Sequence, residues 1–403
     1  MNSFEPLTVK YGWRIGILKP TFDDASRGTI SELVSQLRRK YISINSRANR
    51  GAIGHDPGAV KHFDELLERT LQPFEDIQKY CHEYNLVLWP SAALATGEGS
   101  RNIYVSAGPL FDMEAGICIR NATIKYDPAW MALMANSPFD GLHLGEYKCY
   151  RLGLGWSMPP VPMEAEGYQP DWSDLRVGHD GLSLGSADSP ISPRLVCEYT
   201  AFAACFIAAL ADDVKKNGGK PIGPEDYNEY IHNRWLATKY GLQATFQWKG
   251  NEKPVVELLA KMLALADRKL REFGISAEGL ELIHQMLEKR QTQADCGQVF
   301  GGLSKDPYVL HQAYANFIAE PNAFETYLSQ AVKLPLVEQM SIADEIVKRT
   351  KQNSYYWDVH FRVKCPTILF DRLLLQLQGE DKIRIEKHPE RGILLTNPTG
   401  NCV

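Results

Sequence analysis

Three short segments of the sequence carry polar side chains that could bind an anionic ligand. The first contains Asn136 and Ser137, the second contains Arg176, and the third contains Asn233 and Arg234. A guanidinium group can hold a carboxylate or a phosphate through two parallel hydrogen bonds, and amide or hydroxyl groups can add further donors. These segments therefore indicate a site for a carboxylate or a phosphate, with the two arginines as its clamps.

Each of these residues also has a structural interpretation. Arg234 could instead tie a helix to its neighbours through an internal ion pair, and Arg176 is open to the same interpretation. Asn136 and Ser137 stand directly before Pro138, so they could form the end of a helix rather than bind a ligand. The residue types alone leave both interpretations open.

Composition and charge exclude several classes of protein. The chain has 403 residues, 44% of them hydrophobic, and a formal net charge of -5, so a large core is expected and a nucleic-acid partner is not. No basic region followed by an apolar run opens the sequence, and no stretch suggests a membrane span, which predicts a cytoplasmic protein without a membrane partner. Eight cysteines without a C-x-x-C pair favour reduced thiols, and His143, His179 and His232 lack metal-ligand spacing.

The first half of the chain alternates between strand-like and helix-like patterns. Residues 7–18 are rich in β-branched and aromatic types and predict a strand, whereas apolar residues at helical spacing predict a helix over 29–39 and a longer one over 59–84. Further predicted strands cover residues 41–45, 86–90, 102–107 and 116–123. A strand, helix and strand succession indicates an α+β or α/β protein.

The second half is predicted to be mainly helical. A helix over 127–134 is followed by a long loop region over 141–192, rich in Gly, Pro and Ser. Helices are then predicted over 195–216, 224–240, 254–273 and 277–291. Near the end, residues 382–386 and 392–396 flank His388 and Pro389 and predict a hairpin.

Three segments, taken in order, resemble the glutamate–cysteine-ligase-like family of carboxylate–amine ligases. The segment 131–139 ends in Ala-Asn-Ser-Pro-Phe, like the A-N-S-P-F of that family, and Trp172-Ser-Asp-Leu-Arg176 is similar to its W-D-x-R. The segment 232–242 resembles its N-R-W-x-A-x-x-x-G-L, and residues 294–300 are similar to the start of its closing helices. The resemblance covers about residues 5–330.

The resemblance implies a fold, cofactors and roles for particular residues. It implies a glutamine-synthetase-type, mainly antiparallel sheet, with strands from the first half and from the segment near residue 195, covered by helices from 200 to 350. It implies ATP and Mg²⁺, because such ligases activate a carboxylate by phosphoryl transfer before an amine attacks. By the same resemblance, the catalytic residues are Arg176 and Arg234, and the cofactor-binding residues are Asn136, Ser137, Asn233 and Arg120.

The sequence departs from the family where its metal-binding acids are expected. The family's G-x-E-x-E strand corresponds to residues 11–17, which contain Arg14, and its V-E-I-N strand corresponds to 42–45, with Ser43 in place of the acid. Its H-V-H-x-G strand corresponds at best to residues 117–121, and its T-L-E-V-R strand to 194–197. We therefore expect the metal site to be degraded.

Two functions from different classes follow from this comparison of motifs. The first is a carboxylate–amine ligase that forms an amide bond on a small amino acid or peptide carboxylate. The second is a catalytically degenerate pseudoenzyme that serves as a binding or scaffolding subunit, with an active homologue or a second copy of the chain as its partner. In either case we predict a ligase-like domain over 1–333 and an extension with a helix and a hairpin over 334–403.

Overall fold

The computed structural model divides the chain into two compact units. The first comprises Met1–Gly141 and Gly145–Ala294, and the second comprises Leu142–Leu144 and Asp295–Val403. The boundary predicted between residues 333 and 334 falls inside the second unit and stays a prediction. The structure describes residues 9–10, 13–18, 26–47, 52–90, 106–107, 113–140, 143–153, 159–163, 175–178, 181–190, 192–216, 226–301, 322–333, 336–350, 354–355, 359, 362–363, 367–388, 392–396 and 398.

Some of the predicted features lie outside the described residues. Trp172, Ser173 and Asp174 of the W-D-x-R-like segment are among them, and so is His179. Arg14 belongs to a described strand, but its side chain is also outside the description.

The main sheet of the first unit has four strands, and all of its pairings are antiparallel. Its order is β3 (Ile44–Arg47), β4 (Ala52–His55), β2 (Trp13–Leu18) and β6 (Val87–Pro90). In the register, Trp13 lies opposite His55 and Ile15 lies opposite both Ile53 and Pro90. A smaller antiparallel sheet has the order β5 (Ala59–Val60), β1 (Val9–Lys10) and β7 (Ser106–Ala107). The predicted strand over 7–18 is thus two strands that belong to different sheets.

Helices and short hairpins make up the rest of the first unit. The hairpin strands are β10 (Leu175–Gly178) with β11 (Gly181–Leu184) and β12 (Thr245–Trp248) with β13 (Asn251–Pro254), and a further short strand is β8 (Phe139–Asp140). The strand β9 (His143–Leu144) belongs to the second unit. The helices are α1 (Arg27–Arg38), α2 (Phe63–Glu83), α3 (Met113–Ile124), α4 (Asp127–Leu133), α5 (Tyr150–Gly153), α6 (Pro193–Lys216), α7 (Tyr227–Tyr240), α8 (Val255–Glu272) and α9 (Glu281–Lys289), and α10 (Gln293–Gly301) begins in the first unit and continues into the second.

Helix α6 is the central element of the core, since α2, α3, α8 and α9 all pack against it. Trp130 of α4 packs edge-on against three aromatic rings of α6, with ring centroids 5.6 Å from Tyr199, 4.8 Å from Phe202 and 5.6 Å from Phe206. Edge-to-face pairs of this kind add about 0.5–1.5 kcal/mol each beyond the burial of apolar area. The rings therefore fix α4 firmly against α6.

The start of α6 corrects the strand expected near residue 195. Ser192 accepts a hydrogen bond from the backbone N–H of Leu195 at 3.1 Å, and Pro193 occupies the first helical position, where its missing N–H has no consequence. By length and composition, Pro193–Val214 could cross a membrane, contrary to the expectation from the sequence. However, 94% of its apolar window is buried by the protein, as in a core helix.

The strand predicted over residues 116–123 is also wrong, because this segment belongs to α3. Both Ile117 and Ile119 are buried, and so are the polar residues Arg120, Asn121 and Thr123. A helix that is buried on most of its surface has no apolar stripe, so a short apolar run cannot be assigned to helix or strand by its period. The proposed counterpart of the H-V-H-x-G strand is therefore helical.

The second unit has its own core and its own sheet. Its later helices are α11 (Ala323–Lys333), α12 (Leu336–Arg349) and α13 (Thr367–Gly379). The three-stranded antiparallel sheet has the order β14 (Ser354–Tyr355), β16 (Gly392–Thr396) and β15 (Arg384–His388). The pairing of Ile385 with Leu395 confirms the predicted terminal hairpin.

The predicted α+β class is confirmed by antiparallel sheets followed by a helix-rich second half. The helices predicted over 29–39, 127–134, 195–216 and 254–273 are present within two residues at each end. The region 141–192 was predicted to be a long loop, but it contains the β10–β11 hairpin and α5. Each strand of this hairpin has only four residues, and the facing ends are the glycines Gly178 and Gly181, so their pattern is too short to recognise.

Candidate functional site

Asp127 is the centre of a buried polar cluster, which we call the Asp127 network: Asp127, Ser186, Tyr230 and Arg234. Arg234 donates a hydrogen bond from Nη1 to Oδ2 of Asp127, and the hydroxyl of Tyr230 donates to the same oxygen at 2.9 Å. Ser186 donates to the other carboxylate oxygen. Asp127 is 0% exposed and Arg234 is 5% exposed, so the ion pair is removed from water.

The positions of Tyr230 and Arg234 follow from helix geometry. They are four residues apart on α7 and therefore lie on the same face, where the guanidinium Nη1 is 3.0 Å from the hydroxyl of Tyr230. Burial raises the pKa of Tyr230 well above its ordinary value, and the charge of Asp127 raises it further. Tyr230 therefore remains a neutral hydrogen-bond donor. The contacts of Arg234 with Asp127 and Tyr230 agree with the structural interpretation of this arginine, in which it forms an internal ion pair.

Asn136 and Ser137 bind a second buried carboxylate, that of Asp188. The backbone N–H of Asn136 and the hydroxyl of Ser137 each donate to Oδ2 of Asp188 at 2.8 Å. The amide nitrogen of Asn136 donates to the backbone carbonyl of Ser189 at 2.6 Å. These bonds fix the chain just after α4 to the segment that also supplies Ser186, so both polar clusters share one connecting loop.

Arg120 binds the strand that carries Arg176. Arg120 on α3 is fully buried and donates from Nε to the carbonyl of Leu175 at 3.0 Å and from Nη1 to that of Val161 at 2.7 Å. Arg176 follows Leu175 in β10, is half-buried, and lies opposite Ser183 in β11. The guanidinium of Arg120 therefore holds backbone segments together.

Asn233 joins α7 to the β12–β13 hairpin. Its side-chain amide nitrogen donates to the carbonyl of Gln247 at 2.7 Å, and its side-chain oxygen accepts from the backbone N–H of Gln247 at 2.8 Å. These two hydrogen bonds satisfy the backbone N–H and carbonyl of Gln247 on the edge of β12 that faces away from β13. Five of the six predicted residues thus form hydrogen bonds in separate groups, around Asp127, Asp188, Leu175 and Gln247, and the sixth, Arg176, follows Leu175 in β10.

The solved structures that resemble this chain include two distant likenesses. No protein-family model matches the sequence, and no curated protein matches it significantly. The complex between the prokaryotic ubiquitin-like protein Pup and its ligase PafA is similar with a TM-score of 0.49 and 10% identity, over 95% of this chain and 84% of that chain. GmaS in complex with ADP is similar with a TM-score of 0.36 and 12% identity, over 84% and 73% of the two chains. Likenesses this distant do not show a shared activity.

The two buried carboxylates described above, Asp127 and Asp188, do not fit the Mg²⁺ that the family resemblance implies. Magnesium requires several oxygen ligands, usually carboxylates that converge on one point. Both oxygens of Asp127 and Oδ2 of Asp188 already accept hydrogen bonds from the protein. Oδ1 of Asn136 is buried and has no hydrogen-bond partner in the described part of the chain, but one neutral oxygen does not form a magnesium site.

Three buried acids, Asp127, Asp188 and Glu198, were not predicted as partners of other residues. Asp127 had a local signal, because an Asp-Pro pair begins a helix here. Glu198 had another, since it lies four residues after Arg194 in α6 and pairs with it at 2.8 Å. Glu198 also accepts from the N–H groups of Leu282 and Ile283 in the first turn of α9, at 2.9 and 3.0 Å. Asp188 gave no signal, because its partners are about fifty residues away in the chain.

Proposed function

We propose that the chain is a carboxylate–amine ligase-like protein that acts on a small amino acid or peptide carboxylate. One observation supports this proposal most directly. The ion pair between Asp127 and Arg234 joins α4, which leads into Asn136 and Ser137, to α7, which carries Asn233. The first and third family-like segments are therefore parts of a single buried assembly, as expected if they are retained together.

An assay of amide formation tests this function. The purified protein is incubated with Mg²⁺–ATP and pools of amino acids and dipeptides, while ADP is followed by a coupled assay and products by mass spectrometry. The proposal expects ADP and an amide product in equal amounts, with a lower rate for Arg176→Ala and partial recovery for Arg176→Lys. If no pool gives ADP above background, ligase activity is rejected.

A second candidate function is a catalytically degenerate binding or scaffolding subunit in the same cytoplasmic setting. It is favoured by the internal bonding of Arg120 and Arg234, since both guanidinium groups are occupied by protein acceptors. It is also favoured by large apolar side chains on the outer face of α7, where Ile231 is 36% exposed and Trp235 is 40% exposed. Exposed apolar clusters of this kind often mark protein interfaces.

Two measurements separate the candidates. Titration calorimetry with Mg²⁺–ATP should give no binding tighter than about 1 mM if the protein is a degenerate subunit. Light scattering should then show a dimer that dissociates when Trp235 is replaced by Lys, whereas the matched replacement of the exposed Met340 has no effect. Tight magnesium-dependent ATP binding by a monomer would reject the subunit function.

A further inference from the structure

We infer that a cleft between the β12–β13 hairpin and α8 binds an amino acid with an apolar or aromatic side chain, as the zwitterion. The cleft has a volume of about 170 Å³. An apolar cavity of roughly 150 Å³ holds one benzene ring, so this cleft suits the side chain of an aromatic or large apolar amino acid and not a nucleotide. None of the six residues predicted as the ligase site lines it, so this inference does not rest on the proposed function.

The hairpin forms one wall, and its register explains which side chains face the cleft. Phe246 in β12 lies directly opposite Lys253 in β13. Side chains two residues apart in a strand point to the same face, so Trp248 joins Phe246 and Lys253. All three line the cleft. The hairpin thus offers two aromatic rings with one ammonium group beside them.

Helix α8 forms the opposite wall with residues at helical spacing. Glu257, Lys261 and Leu265 are successive members of one i, i+4 row and all line the cleft, as does Met262. A Glu four residues before a Lys is well placed for an ion pair. Within the described part of the chain, however, Glu257, Lys253 and Lys261 form no ion pair. The three charged groups, each exposed to solvent, therefore stand at the rim with free hydrogen-bonding capacity.

An apolar floor lies below these charges. The half-buried side chains of Tyr126, Trp248 and Leu265 form its contact surface, and Phe206, Met262 and Phe246, each at most 2% exposed, pack behind them. Tyr126 packs edge-on against Phe206 with ring centroids 4.9 Å apart, which closes one end. Burial raises the pKa of Tyr126 and the charge of Asp213 raises it further, so its hydroxyl is neutral, and the ammonium group of Lys125 lies 4.8 Å from the centre of its ring.

The ligand class follows from charge complementarity at the rim. Two ammonium groups and one carboxylate accept a molecule with one carboxylate and one ammonium group, while the floor accepts its apolar body. The carboxylate of the ligand lies between Lys253 and Lys261, and its ammonium group lies at Glu257. A simple apolar anion would leave Glu257 without a partner, and a simple amine would leave both lysines without one.

Calorimetry with three related probes tests this assignment. L-phenylalanine carries both charges, 3-phenylpropionate lacks the ammonium group, and phenethylamine lacks the carboxylate. We expect Lys253→Met and Lys261→Met each to weaken L-phenylalanine and 3-phenylpropionate by about fivefold, the scale of an exposed charge pair, without weakening phenethylamine. We expect Glu257→Gln to weaken L-phenylalanine and not 3-phenylpropionate.

Matched controls keep the assignment falsifiable. Lys79→Met removes a lysine of α2 that is 69% exposed, and Glu252→Gln removes an acid from the same hairpin, outside the cleft lining. Neither should change binding. The inference is overturned if L-phenylalanine does not bind at all, if the three probes bind equally well, or if the controls weaken binding as much as the cleft variants. Any of these outcomes leaves the result of the ligase assay untouched.

Discussion

The Asp127 network and the cleft beside α8 contain similar chemical groups in opposite arrangements. In the network, Arg234 and Asp127 are buried against each other and further donors complete the carboxylate. In the cleft, Lys253, Lys261 and Glu257 are exposed above an apolar floor. A polar cluster whose charged groups are already paired within the protein stabilises the fold. A binding site instead needs charged groups that have no partner in the protein and can pair with a ligand.

The largest effect that tests this comparison is expected for Arg234→Met. This change leaves the carboxylate of Asp127 buried without its counter-charge, so the free energy of unfolding should fall by about 3–5 kcal/mol. Urea unfolding followed by circular dichroism measures the loss. Binding of L-phenylalanine by the folded fraction should stay within twofold of the wild type.

The control for this prediction is an ion pair at the surface. Arg268 binds Asp212 at 2.6 Å but its side chain is 67% exposed, so Arg268→Met should cost less than about 1 kcal/mol. Equal losses from the two variants would contradict the view that burial makes the Asp127 pair structural. A small loss from Arg234→Met together with lost ligand binding would return Arg234 to the role of a ligand clamp.

An intermediate loss of stability is expected for Asn233→Ala. Asn233 connects α7, which carries Arg234 of the Asp127 network, to the hairpin that forms one wall of the cleft. The substitution leaves the N–H and the carbonyl of Gln247 without their partner, and an unsatisfied buried group costs about 1–3 kcal/mol. Since Gln247 lies between Phe246 and Trp248, the hairpin wall of the cleft should also loosen. We expect weaker binding of L-phenylalanine, measured by calorimetry on the folded protein.

Asn233→Asp is the second variant for this test. It keeps an acceptor for the N–H of Gln247, but it places a charged oxygen against the carbonyl of Gln247 at a position that is 4% exposed, so it should lose at least as much stability as the alanine variant. Unchanged binding in both variants would show that the hairpin wall is positioned by α8 alone.

The sequence predicted the α+β class and most long helices because their apolar stripes repeat at helical spacing. Helix α8 is an example, since Leu259, Met262, Leu263 and Ala266 are all buried on one face. It did not predict α3, because that short helix is buried on most sides and has no apolar stripe. The strand expected near residue 195 came from the family resemblance, whereas the local pattern there predicted the helix that is present.

The site was less predictable than the fold. The polar residues Asn136, Ser137 and Arg234 were visible in the sequence, but what they bind depends on contacts made across the fold. Arg234 meets an acid 107 positions away, and Ser137 meets one 51 positions away. The cleft could not be predicted either, since Lys253 and Lys261 became neighbours only through the hairpin that ends at the start of α8.

A further prediction concerns the pH dependence of a third buried carboxylate. Burial raises the pKa of Glu198, although Arg194 and the N–H groups of α9 partly oppose this shift. A raised pKa in the folded state means that stability from this group is complete below the unfolded value, near 4.5, and is lost as the pH rises through the folded value. The stability of the wild type relative to Glu198→Gln should therefore fall as the pH rises from about 4 toward neutrality. Urea unfolding of both proteins at several pH values measures this. A stability of the wild type that rises with pH relative to Glu198→Gln would contradict the prediction.

The smallest effect on stability is expected for Lys253→Met. The side chain is exposed and forms no ion pair in the described part of the chain, so the free energy of unfolding should change by less than about 0.5 kcal/mol. The aliphatic part of the lysine is conserved by methionine, which preserves its packing beside Phe246. The same variant is expected to weaken L-phenylalanine about fivefold. Lys253→Met would then lose binding without losing stability, and Arg234→Met would lose stability without losing binding. Together these results would show that the cleft binds a ligand and that the Asp127 network stabilises the fold. If Lys253→Met instead lowered stability and left binding unchanged, this lysine too would belong to the structural class.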